Sequence, residues 1–75
     1  MTDTLTDAQF LDFCEQHAST PVSGFTPAQM ERLYRLMDPA KYEVEIALCH
    51  GMPDQVVEME KAAILFFVAE ARRKL

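Results

Sequence analysis

Apolar residues recur every three or four positions along most of this chain, the spacing that places them on one face of an α-helix. Four stretches show this pattern, and turn-forming residues separate them. They predict helices over about residues 6–18, 27–37, 39–50 and 54–73. With only two glycines, the chain is also poorly suited to a turn-rich β fold. We therefore predict an all-α fold, a compact irregular bundle of three to four short helices.

Three of these helices are preceded by residues that typically cap a helix N-terminus. Thr6 and Thr26 each stand three residues before a glutamine, which is the pattern of a capping box. Asp38-Pro39 combines a capping aspartate with a proline at the first helical position. Gly51 is placed to end the third helix in the left-handed conformation. The helix starts therefore rest on side-chain chemistry as well as on periodicity.

A chain of 75 residues is long enough for one domain, which we place over residues 1–75. Residues 1–4 precede the first cap and are expected to be disordered, and residues 19–25, which include a proline, are expected to form a loop. The longest apolar run, Ala62 to Ala69, is far shorter than the roughly 20 residues that cross a bilayer. With no signal-peptide pattern and only two cysteines, a cytoplasmic location with reduced thiols is expected.

Acidic residues dominate the charge of the chain, which is −5 at pH 7. The first thirty-one residues contain five Asp and Glu and no Lys or Arg, and basic residues are grouped only at Arg72-Arg73-Lys74. A nucleic-acid backbone or an anionic membrane is recognised by grouped positive charge, so neither is expected as the main partner. A basic or mixed-charge protein surface fits this charge better.

Two Cys–His pairs are the candidates for metal binding or nucleophilic catalysis: Cys14 with His17, and Cys49 with His50. The first pair has a helical spacing that allows chelation. Adjacent residues such as Cys49 and His50 diverge on a regular helix, and structural zinc sites usually show a tighter, recurring spacing. A cysteine nucleophile also needs an oxyanion hole, for which the chain has no glycine-rich loop. We expect ordinary thiols, no metal and no cofactor, and keep a small Cys-dependent enzyme as an alternative.

A helix-turn-helix over residues 26–51 is the second alternative. The corner at Asp38-Pro39 lacks the usual glycine turn. The helix that would enter the DNA groove sets Lys41 against Glu43 and Glu45, and phosphates would repel it. A transcription regulator of this type therefore stays an alternative function rather than the main prediction.

The fourth predicted helix loses its amphipathic pattern between Ala62 and Ala69, where every residue is apolar. A helix that is apolar all round normally needs cover on all sides. Phe66 and Phe67 project about 100° apart, and two or three short helices are too few to cover both. We predict that the uncovered face binds a partner. Its residues are Met59, Ala63, Phe66, Phe67 and Glu70, with Glu60 also at the rim.

The function predicted from these patterns is that of a small acidic protein–protein interaction module. It would act as an adaptor, chaperone or inhibitor of a larger protein assembly and dock through the apolar C-terminal helix. The partner is another protein or an identical subunit, the latter giving a dimer. No enzymatic activity and no small-molecule substrate are predicted, because no largely preformed pocket with convergent polar groups is indicated by the sequence.

Overall fold

The computed structural model describes residues 4–75. Within this range the predicted helical fold is confirmed, with four helices and a small two-stranded sheet. In chain order the elements are α1 (Asp7–His17), β1 (Val22–Phe25), α2 (Pro27–Met37), α3 (Glu43–Gly51), β2 (Val57–Glu60) and α4 (Lys61–Lys74). Of the residues predicted to be disordered, 1–3 lie outside the described part of the chain.

Helices α1 and α2 begin where the capping residues predict. The Thr6 hydroxyl accepts a hydrogen bond from the Gln9 amide at 3.2 Å, and the Gln9 side-chain oxygen accepts one from the Thr6 amide at 3.0 Å. Thr26 and Gln29 repeat this reciprocal pair at 3.2 and 2.9 Å. Each box satisfies two backbone donors that the start of a helix would otherwise leave without a partner.

A two-stranded antiparallel sheet replaces part of the predicted loop and the predicted start of the last helix. Strand β1 lies within residues 19–25, and β2 lies at the beginning of the range predicted as helix, so that Val22 pairs with Glu60 and Phe25 with Val57. Side-chain burial alternates along both strands, as expected when one face of a sheet packs inward. The fourth helix therefore starts at Lys61 and not near residue 54.

Helix α3 also begins later than predicted, at Glu43 instead of residue 39. The Asp38 carboxylate does accept hydrogen bonds from the amides of Ala40 and Lys41, at 3.2 and 3.3 Å, but these residues form turns rather than a first helical turn. Gly51 is the last residue of α3, as expected, yet its φ is not positive. The prediction of a left-handed stop at this glycine was wrong.

The core lies between α1, α2 and α4, with Phe25 of β1 closing one end. Helix α4 packs against α1, α2 and β2, whereas α3 packs mainly against α2. The buried core residues are Phe10, Leu11, Cys14, Ala18, Phe25, Met30, Leu33, Met37, Ile64, Val68 and Ala71. Helix α3 contributes only one buried side chain, Ile46. Helix α3 is thus the helix with the fewest buried side chains.

Ion pairs connect α1 to α4 and to α2. Arg72 of α4 lies 2.6 Å from a carboxylate oxygen of Asp12 and 3.1 Å from one of Glu15. These hydrogen-bonded carboxylates raise the pKa of the Arg72 guanidinium. Arg32 of α2 lies 3.2 Å from Asp7. Within residues 4–75, none of the helices combines the length and hydrophobicity that a membrane crossing requires.

Candidate protein-binding surface

The predicted partner-binding residues of the C-terminal region differ widely in exposure. The Phe66 side chain is exposed at 58%, whereas Phe67, Ala63 and Met59 are half-buried. Glu70 is only 8% exposed, and its carboxylate accepts a hydrogen bond of 3.4 Å from the Tyr42 hydroxyl. Only Phe66 of this set therefore presents a large exposed apolar surface, and Glu70 lies beneath the surface rather than on its rim.

Phe67 is partly covered because two tyrosines pack against it. Its ring centroid lies 5.6 Å from that of Tyr34 in α2 and 6.4 Å from that of Tyr42, which precedes α3. The two tyrosine rings are 5.2 Å apart, and Phe66 lies 6.1 Å from Phe67. Aromatic pairs at these separations are attractive beyond their buried area. This group links α4 to α2 and to the N-terminal end of α3.

The outer face of α3 is a second exposed apolar region, which the sequence did not reveal. Val44 is 68% exposed and Leu48 62% exposed. Ala47 and Gly51 are exposed as well. These four residues follow the i, i+3, i+4, i+7 spacing of one helix face. Because α3 packs mainly on α2, this apolar face has no cover within the described part of the chain.

A small cleft lies between α2, α3 and β2 and adjoins this helix face. Its volume is about 140 Å³, and its lining consists of Met30, Tyr34, Glu45, Leu48, Cys49, Met52, Val57 and Met59. Leu48 belongs to both the cleft and the exposed face of α3. Tyr34 belongs to both the cleft and the aromatic group. The two exposed regions are thereby joined.

We call these linked parts the apolar surface: the outer face of α3, the cleft, and the pair Phe66–Phe67. Met59 of the predicted site lies in the cleft, so the structure does bring it near a tyrosine that contacts Phe67. One sequence signal for the missed part was the small number of polar residues in α3. Another was Met52, which stands next to a glycine and a proline and is 41% exposed.

Carboxylates lie beside the cleft, with Glu45 in its lining and Glu31 in the adjoining groove. Burial, and then the Glu31 and Glu45 carboxylates, raise the pKa of the Cys49 thiol. Burial raises the pKa of Tyr34 as well, with smaller contributions from Cys49, Glu45 and Tyr42. Asp54 lines a shallow groove that shares Cys49 and Met52 with the cleft. Between residues 43 and 60 the chain carries five Asp and Glu and no Lys or Arg.

The Cys14–His17 pair is built into the packing of α1. Cys14 is fully buried, and burial raises the pKa of its thiol to about 12, against a smaller opposing effect of Arg32. His17 Nε2 donates a hydrogen bond of 2.7 Å to the Gly24 carbonyl. The His17 ring also packs against Phe13 and Phe25, with centroids 5.2 and 4.9 Å away. Both side chains thus have structural contacts of their own.

The second pair, Cys49 and His50, lies at the cleft and beside Glu31. Cys49 is half-buried in the cleft, and His50 Nδ1 lies 3.4 Å from a carboxylate oxygen of Glu31. Among residues 4–75, no three His, Cys, Asp or Glu side chains are grouped in a way that would hold a metal ion. The four candidate ligands Cys14, His17, Cys49 and His50 therefore do not form one site in the structure.

We found no match to this chain among protein-family models, curated proteins or solved structures.

Proposed function

We propose that this protein is a small acidic protein–protein interaction module that docks through the apolar surface. Its role would be that of an adaptor, chaperone or inhibitor of a larger protein assembly, in the cytoplasm. The observation that carries the proposal is the set of exposed apolar side chains Val44 and Leu48 of α3 and Phe66 of α4, which the cleft and the contacts of Tyr34 with Phe67 link to one another. Of the residues predicted for the C-terminal surface, Phe66 and Phe67 lie at one end of the apolar surface and Met59 lies in the cleft.

The energetic argument is that exposed apolar area is unfavourable in water. Removing it from water contributes roughly 25 cal/mol per Å². Scattered exposed apolar residues are common, but a contiguous region with large side chains marks an interaction site. Leu48, Met52 and Phe66 are large side chains of this kind, and aromatic anchors commonly dominate the energy of an interface.

The test is a set of aspartate substitutions with a matched control. Leu48→Asp and Phe66→Asp place a charge within the apolar surface, and Leu75→Asp places one at the C-terminus. Leu48 and Leu75 are equally exposed, at 62%, so the two substitutions replace the same side chain by the same charge at equal exposure. Circular dichroism and urea unfolding should show that all three variants fold.

The readouts are the solution mass by light scattering and the proteins that cross-link to each variant in cell extract. We expect Leu48→Asp and Phe66→Asp to lose a complex that wild type and Leu75→Asp form, whether with a second copy or with another protein. A complex that survives both substitutions, or one that all three substitutions remove equally, would contradict the proposed surface.

A further inference from the structure

We propose that the occupant of the apolar surface is a basic amphipathic helix of another protein, which inserts one large apolar side chain into the cleft. This inference rests on the proposed function and adds the chemistry of the partner. Its evidence is the charge around the cleft, the size of the cleft, and the shape of the neighbouring helix face.

The charge around the cleft selects a positively charged partner. Glu45 is part of the cleft lining, and Asp54 borders the groove that continues from it past Met52. Among residues 4–75, no lysine or arginine lines either depression. Of the basic side chains nearby, Arg35 pairs with Glu31 of the groove and Lys41 lies over the Tyr42 ring, so the attraction for a basic partner rests on Glu45 and Asp54. Lysine or arginine on the partner would therefore meet complementary charge beside an apolar centre.

The size of the cleft fits one side chain better than a free small molecule. Its volume of about 140 Å³ is close to that of an apolar cavity of about 150 Å³ that accommodates benzene. Sites for drug-sized ligands are usually about 300–1,000 Å³. The methionines in the lining, Met30, Met52 and Met59, have flexible thioether side chains that adapt to different apolar groups. A leucine or phenylalanine of the partner is the expected anchor.

The outer face of α3 supplies the surface on which a helix can lie. Ala47 and Gly51 are small and exposed, and nothing lies within 4 Å of the position that a Cβ of Gly51 would take. A helix can therefore approach closely alongside the two larger side chains, Val44 and Leu48. Apolar residues spaced three and four positions apart on the partner would bind along this face, as in other helix-in-groove complexes.

A second copy of this chain is a poorer occupant for the same electrostatic reason. Two copies that met through this surface would bring together two sets of the Glu45 and Asp54 carboxylates, which line the cleft and the adjoining groove. Like charges at an interface oppose association and suppress the wrong partner. The apolar surface alone favours both occupants, and the charge decides between them.

The probe for this inference is a displayed library of helical peptides with randomised surface positions. The library is selected on the wild-type protein of 75 residues after depletion on Leu48→Asp. We expect the enriched peptides to carry a net positive charge and an apolar residue every three or four positions. Their affinity should fall about tenfold or more on Leu48→Asp, as for a central anchor.

A charge control separates the acidic rim from the net charge of the protein. Glu45→Gln should weaken the enriched peptides about two- to fivefold, the effect of one exposed ion pair, and added salt should reduce this difference. Glu58→Gln removes the same charge from strand β2, where alternation places Glu58 on the face opposite Met59. The Glu58→Gln variant should bind the enriched peptides with the same affinity as the wild-type protein.

The outcomes distinguish this inference from the proposed function. Enriched peptides that are neutral or acidic, but lose binding on Leu48→Asp, would overturn the basic partner and retain an interaction surface. A wild-type dimer that Leu48→Asp dissociates would overturn it in favour of a second copy. If no peptide is enriched over Leu48→Asp and the wild type is monomeric, the proposed function itself fails, and this inference with it.

Discussion

At the scale of single residues, the two glycines of the chain occupy opposite environments. A Cβ on Gly24 would collide with the Val56 side chain, whereas one on Gly51 would meet nothing nearby. Gly24→Ala should therefore lower the free energy of unfolding by about 0.5–1.5 kcal/mol, because the exposed Val56 side chain must leave its preferred rotamer or shift. Gly51→Ala should raise it by about 0.4–1 kcal/mol, because alanine restricts the unfolded chain and its φ here suits an L-residue. Urea unfolding measures both values.

The predicted collision between a Cβ at position 24 and the Val56 side chain can be tested by shortening Val56. In a Val56→Ala background the Cγ atoms that crowd this position are gone. Adding Gly24→Ala should therefore lower the free energy of unfolding much less than it does in the wild-type protein. Equal costs in the two backgrounds would show that some other feature requires the glycine.

Cys14 gives a residue-scale prediction for pH. Its thiol has a pKa of about 12 in the folded protein against a usual value of 9.0. Between these values the unfolded chain loses the thiol proton while the folded chain keeps it, so rising pH favours unfolding. Stability should be unaffected by this group below pH 9 and fall by about 1.4 kcal/mol per pH unit above it. Cys14→Ala should lack this contribution when the two unfolding curves are compared.

At the scale of elements, the capping boxes and the ion pairs hold helices that are individually short. Thr26 at the start of α2 uses its hydroxyl to accept from the Gln29 amide. Thr26→Ala should lower the free energy of unfolding by about 1 kcal/mol, and Thr26→Ser should restore most of it because serine caps equally well. Urea denaturation distinguishes these variants. A serine variant as unstable as the alanine variant would contradict the capping role.

Arg72 adds ion pairs at the surface to the buried contact between α1 and α4. Arg72→Ala should lower the Tm at low salt because Asp12 and Glu15 lose their shared partner. Added salt should reduce the difference from wild type, since exposed charge interactions are screened. Arg73→Ala changes the net charge equally at the next position and serves as the control. If both substitutions have the same effect, the loss reflects net charge rather than the bridge.

At the scale of the whole molecule, net charge and exposed apolar surface act in opposite directions. The charge of −5 at pH 7 keeps copies apart, while the apolar surface favours contact between them. We expect a monomer at pH 7 that associates as the pH approaches the pI of about 4.8, and light scattering across this range tests it. Near the pI, the Leu48→Asp variant should associate less than the Leu75→Asp variant. A stable dimer at pH 7 would contradict this balance.

Some features of this protein follow from its sequence alone because they depend on neighbouring residues. Thr6 and Thr26 bond to groups three residues away, so their helix starts were correctly predicted. The inward faces of α1 and α2 follow from helical spacing in the same way, and Phe10, Cys14, Met30 and Leu33 are all buried. The acidic charge and the apolar character of Ala62 to Ala69 are likewise properties of the chain itself.

Tertiary structure decided the features that depend on distant residues. Val57 and Met59 have a helical as well as a strand interpretation, and pairing with β1, more than thirty positions earlier, selects the strand. The exposure of Val44 and Leu48 has the same origin. Their spacing fits an inner helix face, but α3 packs mainly on α2, so one face is covered and the other is left in water. Local hydrogen bonds can be predicted from the sequence, whereas burial depends on which elements are near one another.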